Sequence, residues 1–133
     1  MNPTFIDSGV LISGARCVAG ISEDALAILD DPERTYFSTV MVKLEVLPKA
    51  MYLKRKSEIA FYDAFFESVD TFLEMTSDIV EDALSLSATY GLSALDALHI
   101  VSAIRMGAKQ FVTTEKPGKP LFRVPGIEVI SIA

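Results

Sequence analysis

The chain has a single cysteine, Cys17, so it can form neither an internal disulfide nor a thiolate cage around a metal. No apolar run approaches the roughly 18 residues needed to cross a bilayer. The start, Met1-Asn2-Pro3-Thr4-Phe5-Ile6-Asp7, lacks the basic segment of a secretory signal and soon meets an acid, so a cytosolic chain is expected. Internal repeats, low-complexity tracts and interdomain linkers are also missing. Between Ser57 and Ile104 there is no lysine or arginine, while Glu58, Asp63, Glu67, Asp70, Glu74, Asp78, Glu81 and Asp82 accumulate. With a formal net charge of -6, the chain has no overall attraction for nucleic acid. Its cations are grouped, however: Lys43, Lys49, Lys54, Arg55 and Lys56 surround one helical stretch. A polyanionic substrate would approach along that segment; the plainer alternative is a pair of solvated helix faces, one basic and one acidic.

What is present is enough for one domain spanning residues 1–133, with half of the residues hydrophobic. A mean hydropathy of +0.37 suits a small chain that covers some apolar surface with a partner. Thr4 to Asp7 reads as a buried strand, followed by a loop containing Gly9, Gly14 and Gly20. Ser22 caps a helix through about Leu29, and Thr35-Tyr36-Phe37 is a second strand. Ser38 is expected to cap the helix of Val42, Leu44 and Glu45, with Pro48 kinking or ending it. Ser57 starts a helix with Ile59, Phe61, Tyr62, Phe65 and Phe66 on its apolar face. Thr71 to Met75 alternates as a strand, and Thr76 or Ser77 caps a helix that closes at Gly91. Ser93 to Met106 is the best-defined helix; Gln110 to Thr114 and Ile127 to Ile132 complete the strands. Strands alternating with helices predict an α/β fold with a parallel sheet. Ligands of such sheets bind beyond the carboxyl ends of the strands.

Four carboxylates stand out. Asp7 ends the first strand, Glu45 lies in the helix after the second, Asp96 is in the first turn of the Ser93 helix, and Glu115 follows the strand of Phe111. Each has an ordinary explanation alone: a turn residue, a partner for Lys49, a capping box with Ser93, an exposed loop acid. Together, acids beside apolar segments with few neighbouring cations call for a bound metal, because burying a carboxylate unpaired costs several kcal/mol. Cys17 lacks a triad partner. His99, the only histidine, reads as a packed helix residue rather than a general base.

The segments Phe5-Ile6-Asp7-Ser8, Leu95-Asp96-Ala97-Leu98-His99 with Ala103, and Phe111-Val112-Thr113-Thr114-Glu115 resemble the PIN-domain family of metal-dependent ribonucleases, particularly VapC-type toxins. The likeness extends over essentially the whole chain. It implies a sheet of about five parallel strands flanked by helices, with Asp7, Glu45 and Asp96 as core metal ligands and Glu115 as the fourth acid. Ser8 and Thr113 would orient the carboxylates. It also implies RNA as substrate, Mg²⁺ or Mn²⁺ as cofactor, a homodimer, and a small antitoxin as partner. The fourth acid of the family is usually Asp followed closely by an aromatic residue; here it is Glu115 before Lys116-Pro117-Gly118.

Oxygen ligands suit these hard cations, which neutralise charge and activate water in phosphodiester hydrolysis. Haloacid-dehalogenase-type phosphatases need a second Asp where Gly9 stands, and response-regulator receivers need a phosphoacceptor Asp on the third strand. The rival that remains is a PIN-like module that binds RNA or protein without cleaving.

Overall fold

The computed structural model describes residues 1–133. Asn2–Ile6 forms β1, followed by α1 (Ser8–Arg16), α2 (Ser22–Leu29), β2 (Arg34–Thr39) and α3 (Val40–Tyr52). Then come α4 (Lys56–Ser68), β3 (Thr71–Leu73), α5 (Ser77–Tyr90), α6 (Ala94–Arg105) and β4 (Gln110–Thr113). A short 3-10 helix at Pro120–Arg123 precedes β5 (Glu128–Ser131).

All five strands are parallel, in the order β3-β2-β1-β4-β5. The chain winds outward from β1 to β3, then returns to β4 and β5. The reversal falls between β1 and β4, which opens a crevice at their carboxyl ends. A central parallel strand is covered on both faces, so it reads as a continuous buried run rather than an alternating one. Thr4, Phe5 and Ile6 on β1 and Phe111, Val112 and Thr113 on β4 are fully buried. Phe5 pairs with Phe111 in the ladder and stacks on it, with ring centroids 5.2 Å apart. Each such apolar side chain contributes about 1.5–3 kcal/mol. Helix α1 packs with α2, α3 and α4, while α5 packs with α6. By the right-handed rule for parallel crossovers, this strand order sets the two groups on opposite faces.

Several local expectations are corrected. The residues after Asp7 are helical, not a loop, although Gly in a helix costs about 1 kcal/mol relative to Ala. Packing overrides propensity: a Cβ on Gly9 would lie 2.2 Å from Thr114 Oγ1, and one on Gly14 would lie 3.1 Å from the Phe61 ring. Thr39, not Ser38, caps α3 by accepting the Met41 N–H at 3.2 Å; Ser38 is a buried strand residue. Pro48 does not end α3, which continues to Tyr52. Pro48 and Leu44 are both exposed, so the Leu44 carbonyl that loses its helical donor faces solvent. Ser22 is the first helical residue of α2, after Ile21, and forms no cap. The closing of α5 at Gly91, with φ 74°, agrees with expectation.

The acidic segment is not uniformly solvated either. Glu58 is buried, accepting from Arg16 Nε at 3.0 Å, Arg16 Nη2 at 3.2 Å and the Tyr62 hydroxyl at 3.0 Å. These bonds lock α1 to α4.

Candidate metal centre

Asp7 leaves β1 at the crevice, where its N–H donates to the Val112 carbonyl of β4 at 2.9 Å. Its extended backbone makes it the N-cap of α1, with Oδ1 accepting the Ser8 N–H at 2.9 Å. Oδ2 accepts the Thr113 hydroxyl at 2.8 Å, and Thr113 Oγ1 accepts the Glu115 N–H at 3.1 Å. The carboxylate is therefore fixed from both β1 and β4. Burial pushes its pKa above the usual carboxylate range, making it a weaker acid; His99 and the Thr113 hydroxyl oppose this, and the Asp96 carboxylate adds to it. No lysine or arginine pairs with it.

Glu45 enters from α3, which starts where β2 ends. Its Oε1 meets Nε2 of His99 from α6. The His99 side chain is fully enclosed, with its ring centroid 5.6 Å from that of Phe5. One ligand atom each from Asp7, Glu45 and His99 lie within 4.8 Å of one another. Metal–ligand distances of about 2.0–2.6 Å allow one cation to bridge such a span. The donor set fits a divalent ion: a desolvated carboxylate without a protein cation has a strong need for one.

Asp96 is half-buried in the first turn of α6, where its N–H donates to Ser93 Oγ at 3.3 Å. Its capping place thus coexists with proximity to Asp7. Asp96 and Glu115 line a depression of about 210 Å³ with Ser93, Lys119 and Leu121. Glu115 is exposed, and both it and Asp96 stand outside the three-residue group. Thr113 touches Asp7 through its hydroxyl, whereas Ser8 does so through its backbone.

The five grouped cations divide. Lys43 Nζ sits 4.7 Å from the Phe72 ring centre and 5.3 Å from that of Phe66, and Arg55 lies 3.7 Å from Glu58. Lys49, Lys54 and Lys56 are exposed and engage no acid.

Two further residues stand at the site: His99, which the sequence reads as a packed helix residue, and Lys119, which no motif singles out. His99 faces the acids one turn after Asp96, and its lone occurrence on a buried helix face was the available signal. Lys119 stands in the loop after Glu115, and Leu121, almost fully buried within the 3-10 helix, draws that loop to the depression.

A parallel doubly wound sheet with a buried, cation-deficient acid at its switch point defines an α/β protein built around a metal-capable crevice. The PIN domain family model matches residues 4–116, and the chain belongs to that family. No curated protein sequence matches it. Among solved structures, it is similar to a chain of a toxin–antitoxin complex from Klebsiella pneumoniae, with 18% identity, a TM-score of 0.70 and 98% of each chain covered. A chain of VapBC2 from Rickettsia felis bound to a promoter DNA fragment gives 14% identity, a TM-score of 0.71 and 96% coverage of each. A chain of DNA-bound VapBC from Salmonella typhimurium gives 16%, 0.70 and full coverage of both. At these identities the likeness is one of fold.

Proposed function

We propose that the chain, as one domain over residues 1–133, is a metal-dependent endoribonuclease that hydrolyses RNA phosphodiester bonds and serves as the toxin of a type II toxin–antitoxin pair. The observation that carries this reading is the meeting of Asp7 and Glu45 beside His99 at the switch point of a PIN fold. Asp7, Glu45 and Asp96 hold the ion, and Glu115 acts from the outer side of the depression. Mg²⁺ or Mn²⁺ bound there supplies charge neutralisation and water activation for the hydrolysis. Thr113 and the Ser8 N–H keep Asp7 aimed at the crevice. Lys49, Lys54 and Lys56 draw the RNA backbone to an otherwise acidic molecule through salt-dependent phosphate contacts.

The solved neighbours are toxin–antitoxin complexes, which supports a small antitoxin as partner. Exposed Leu44, Met51 and Tyr52 on α3 and Val80 and Leu84 on α5 leave apolar surface for that partner and for a second copy in a homodimer. No single helix is long and apolar enough to cross a membrane; the proposed action on RNA is in the cytoplasm.

The exposed position of Glu115 favours one rival, a PIN-like module that binds RNA or protein without cleaving it. Incubation with assorted RNAs, with and without Mg²⁺ or Mn²⁺, separates the two. Cleavage by wild type with metal, absent from Asp7→Asn, supports the nuclease. Binding without cleavage under every condition supports the rival.

A further inference from the structure

We infer that His99 is a positioning residue: it carries its proton on Nε2, donates it to Glu45, and is not itself a metal ligand. The inference rests on the proposed metal centre and assigns a role within it. Nε2 and Glu45 Oε1 are in hydrogen-bond contact, and Glu45 retains about a quarter of its side-chain exposure. Glu45 has no other side-chain partner, so this contact is what holds its carboxylate over the crevice. His99 can hold it because its ring is packed against Phe5 and closed off from solvent.

The other ring nitrogen decides between anchor and ligand. Nδ1 is buried and has no hydrogen-bond partner. A histidine that ligates through Nε2 carries its proton on Nδ1 and almost always donates it to a carbonyl or carboxylate. Here that proton would be a buried, unsatisfied donor, and in the metal-free chain two lone pairs would face each other between Nε2 and Glu45. With the proton on Nε2, the donor is satisfied and only an acceptor lacks a partner. The site then keeps an all-oxygen ligand set, which favours Mg²⁺ or Mn²⁺ over the softer ions that imidazole attracts.

Because His99 is the only histidine, imidazole ¹⁵N NMR of the tag-free, metal-free chain reports on this ring alone. The expected spectrum shows a proton on Nε2; a ring protonated on Nδ1 alone overturns the inference. Pulsed EPR of the Mn²⁺-loaded protein should show no directly bound nitrogen. A strong ¹⁴N coupling that disappears in His99→Gln would make His99 a ligand instead. In Mn²⁺ titrations, His99→Gln should stay close to wild type, since its amide can donate to Glu45, while His99→Leu should bind about 10–100-fold more weakly. Equal losses in both variants refute the donor role. If wild type binds no Mn²⁺, the proposed function fails, and the NMR result still decides the tautomer.

Discussion

Replacing Asp7 with Asn removes a charge that the fold buries and that a cation needs. In wild type, Mn²⁺ at 100 times its dissociation constant adds about 2.7 kcal/mol to the folded state by mass action. For a chain of this length 1 kcal/mol is worth about 3–4 °C, so the melting temperature should rise by about 10 °C. Asp7→Asn should lose that rise. Without metal the sign reverses. Burial holds the folded Asp7 carboxyl above its unfolded value of about 3.9. The folded state therefore keeps this proton longer. Stability from Asp7 is fully present below about pH 4 and declines as pH rises through the raised folded value. Asn escapes this decline, while retaining an acceptor for the Ser8 N–H and losing about 1 kcal/mol from the Thr113 bond. Metal-free Asp7→Asn should then melt at or above wild type near pH 7.5. The chain has no tryptophan, so scanning calorimetry with and without Mn²⁺ is the suitable assay. Equal Mn²⁺ shifts in both proteins would refute the assignment. A metal-free Asp7→Asn melting well below wild type would make Asp7 a structural cap.

Glu58 should show the opposite pH dependence. Arg16, then Tyr62, hold its carboxyl below the usual range against burial, so its contribution is present above about pH 4.3 and lost as pH falls through the folded value. Glu58→Gln should cost about 2 kcal/mol at pH 7 in urea unfolding and much less at pH 3; an equal loss at both pH values would exclude the ion pair as its source. Gly9→Ala should cost about 1–3 kcal/mol because its Cβ would overlap Thr114 Oγ1, and adding Thr114→Ala should recover most of it. No recovery in the double variant would place the strain elsewhere. Glu115→Gln should lose less cleavage activity than Asp7→Asn, since Glu115 is exposed whereas Asp7 is buried and held by Thr113; a variant as inactive as Asp7→Asn makes it a direct ligand.

The sheet was legible because its central strands are continuous apolar runs that stop at polar residues, as Phe5-Ile6 stops at Asp7. Strands alternating with helices point to a parallel sheet with ligands beyond its carboxyl ends, whereas the switch point between β1 and β4 required the strand order. Local packing was not legible. Nothing near Gly9 in sequence reveals that Thr114 lies against it, so two glycines suggested a loop where α1 forms. Ser38 and Thr39 are equally good caps by composition; the strand's burial selects Thr39 by enclosing Ser38. Glu58 looked like one acid among many because its anchor, Arg16, is 42 residues away. The same distance problem hid the pairing of Glu45 with His99, 54 residues apart. Asp7, Glu45 and Asp96 could be picked out as acids at element ends, but how each is held required the fold.

The central claim is that a cation bound at Asp7 and Glu45 makes this chain cleave RNA. Single-turnover cleavage of one defined RNA tests it most directly, comparing wild type at saturating Mn²⁺, wild type in EDTA, and Asp7→Asn at saturating Mn²⁺. The expected result is cleavage in the first reaction alone, restored to the second when excess Mn²⁺ is returned. Equal cleavage by Asp7→Asn, or undiminished cleavage in EDTA, would contradict the account.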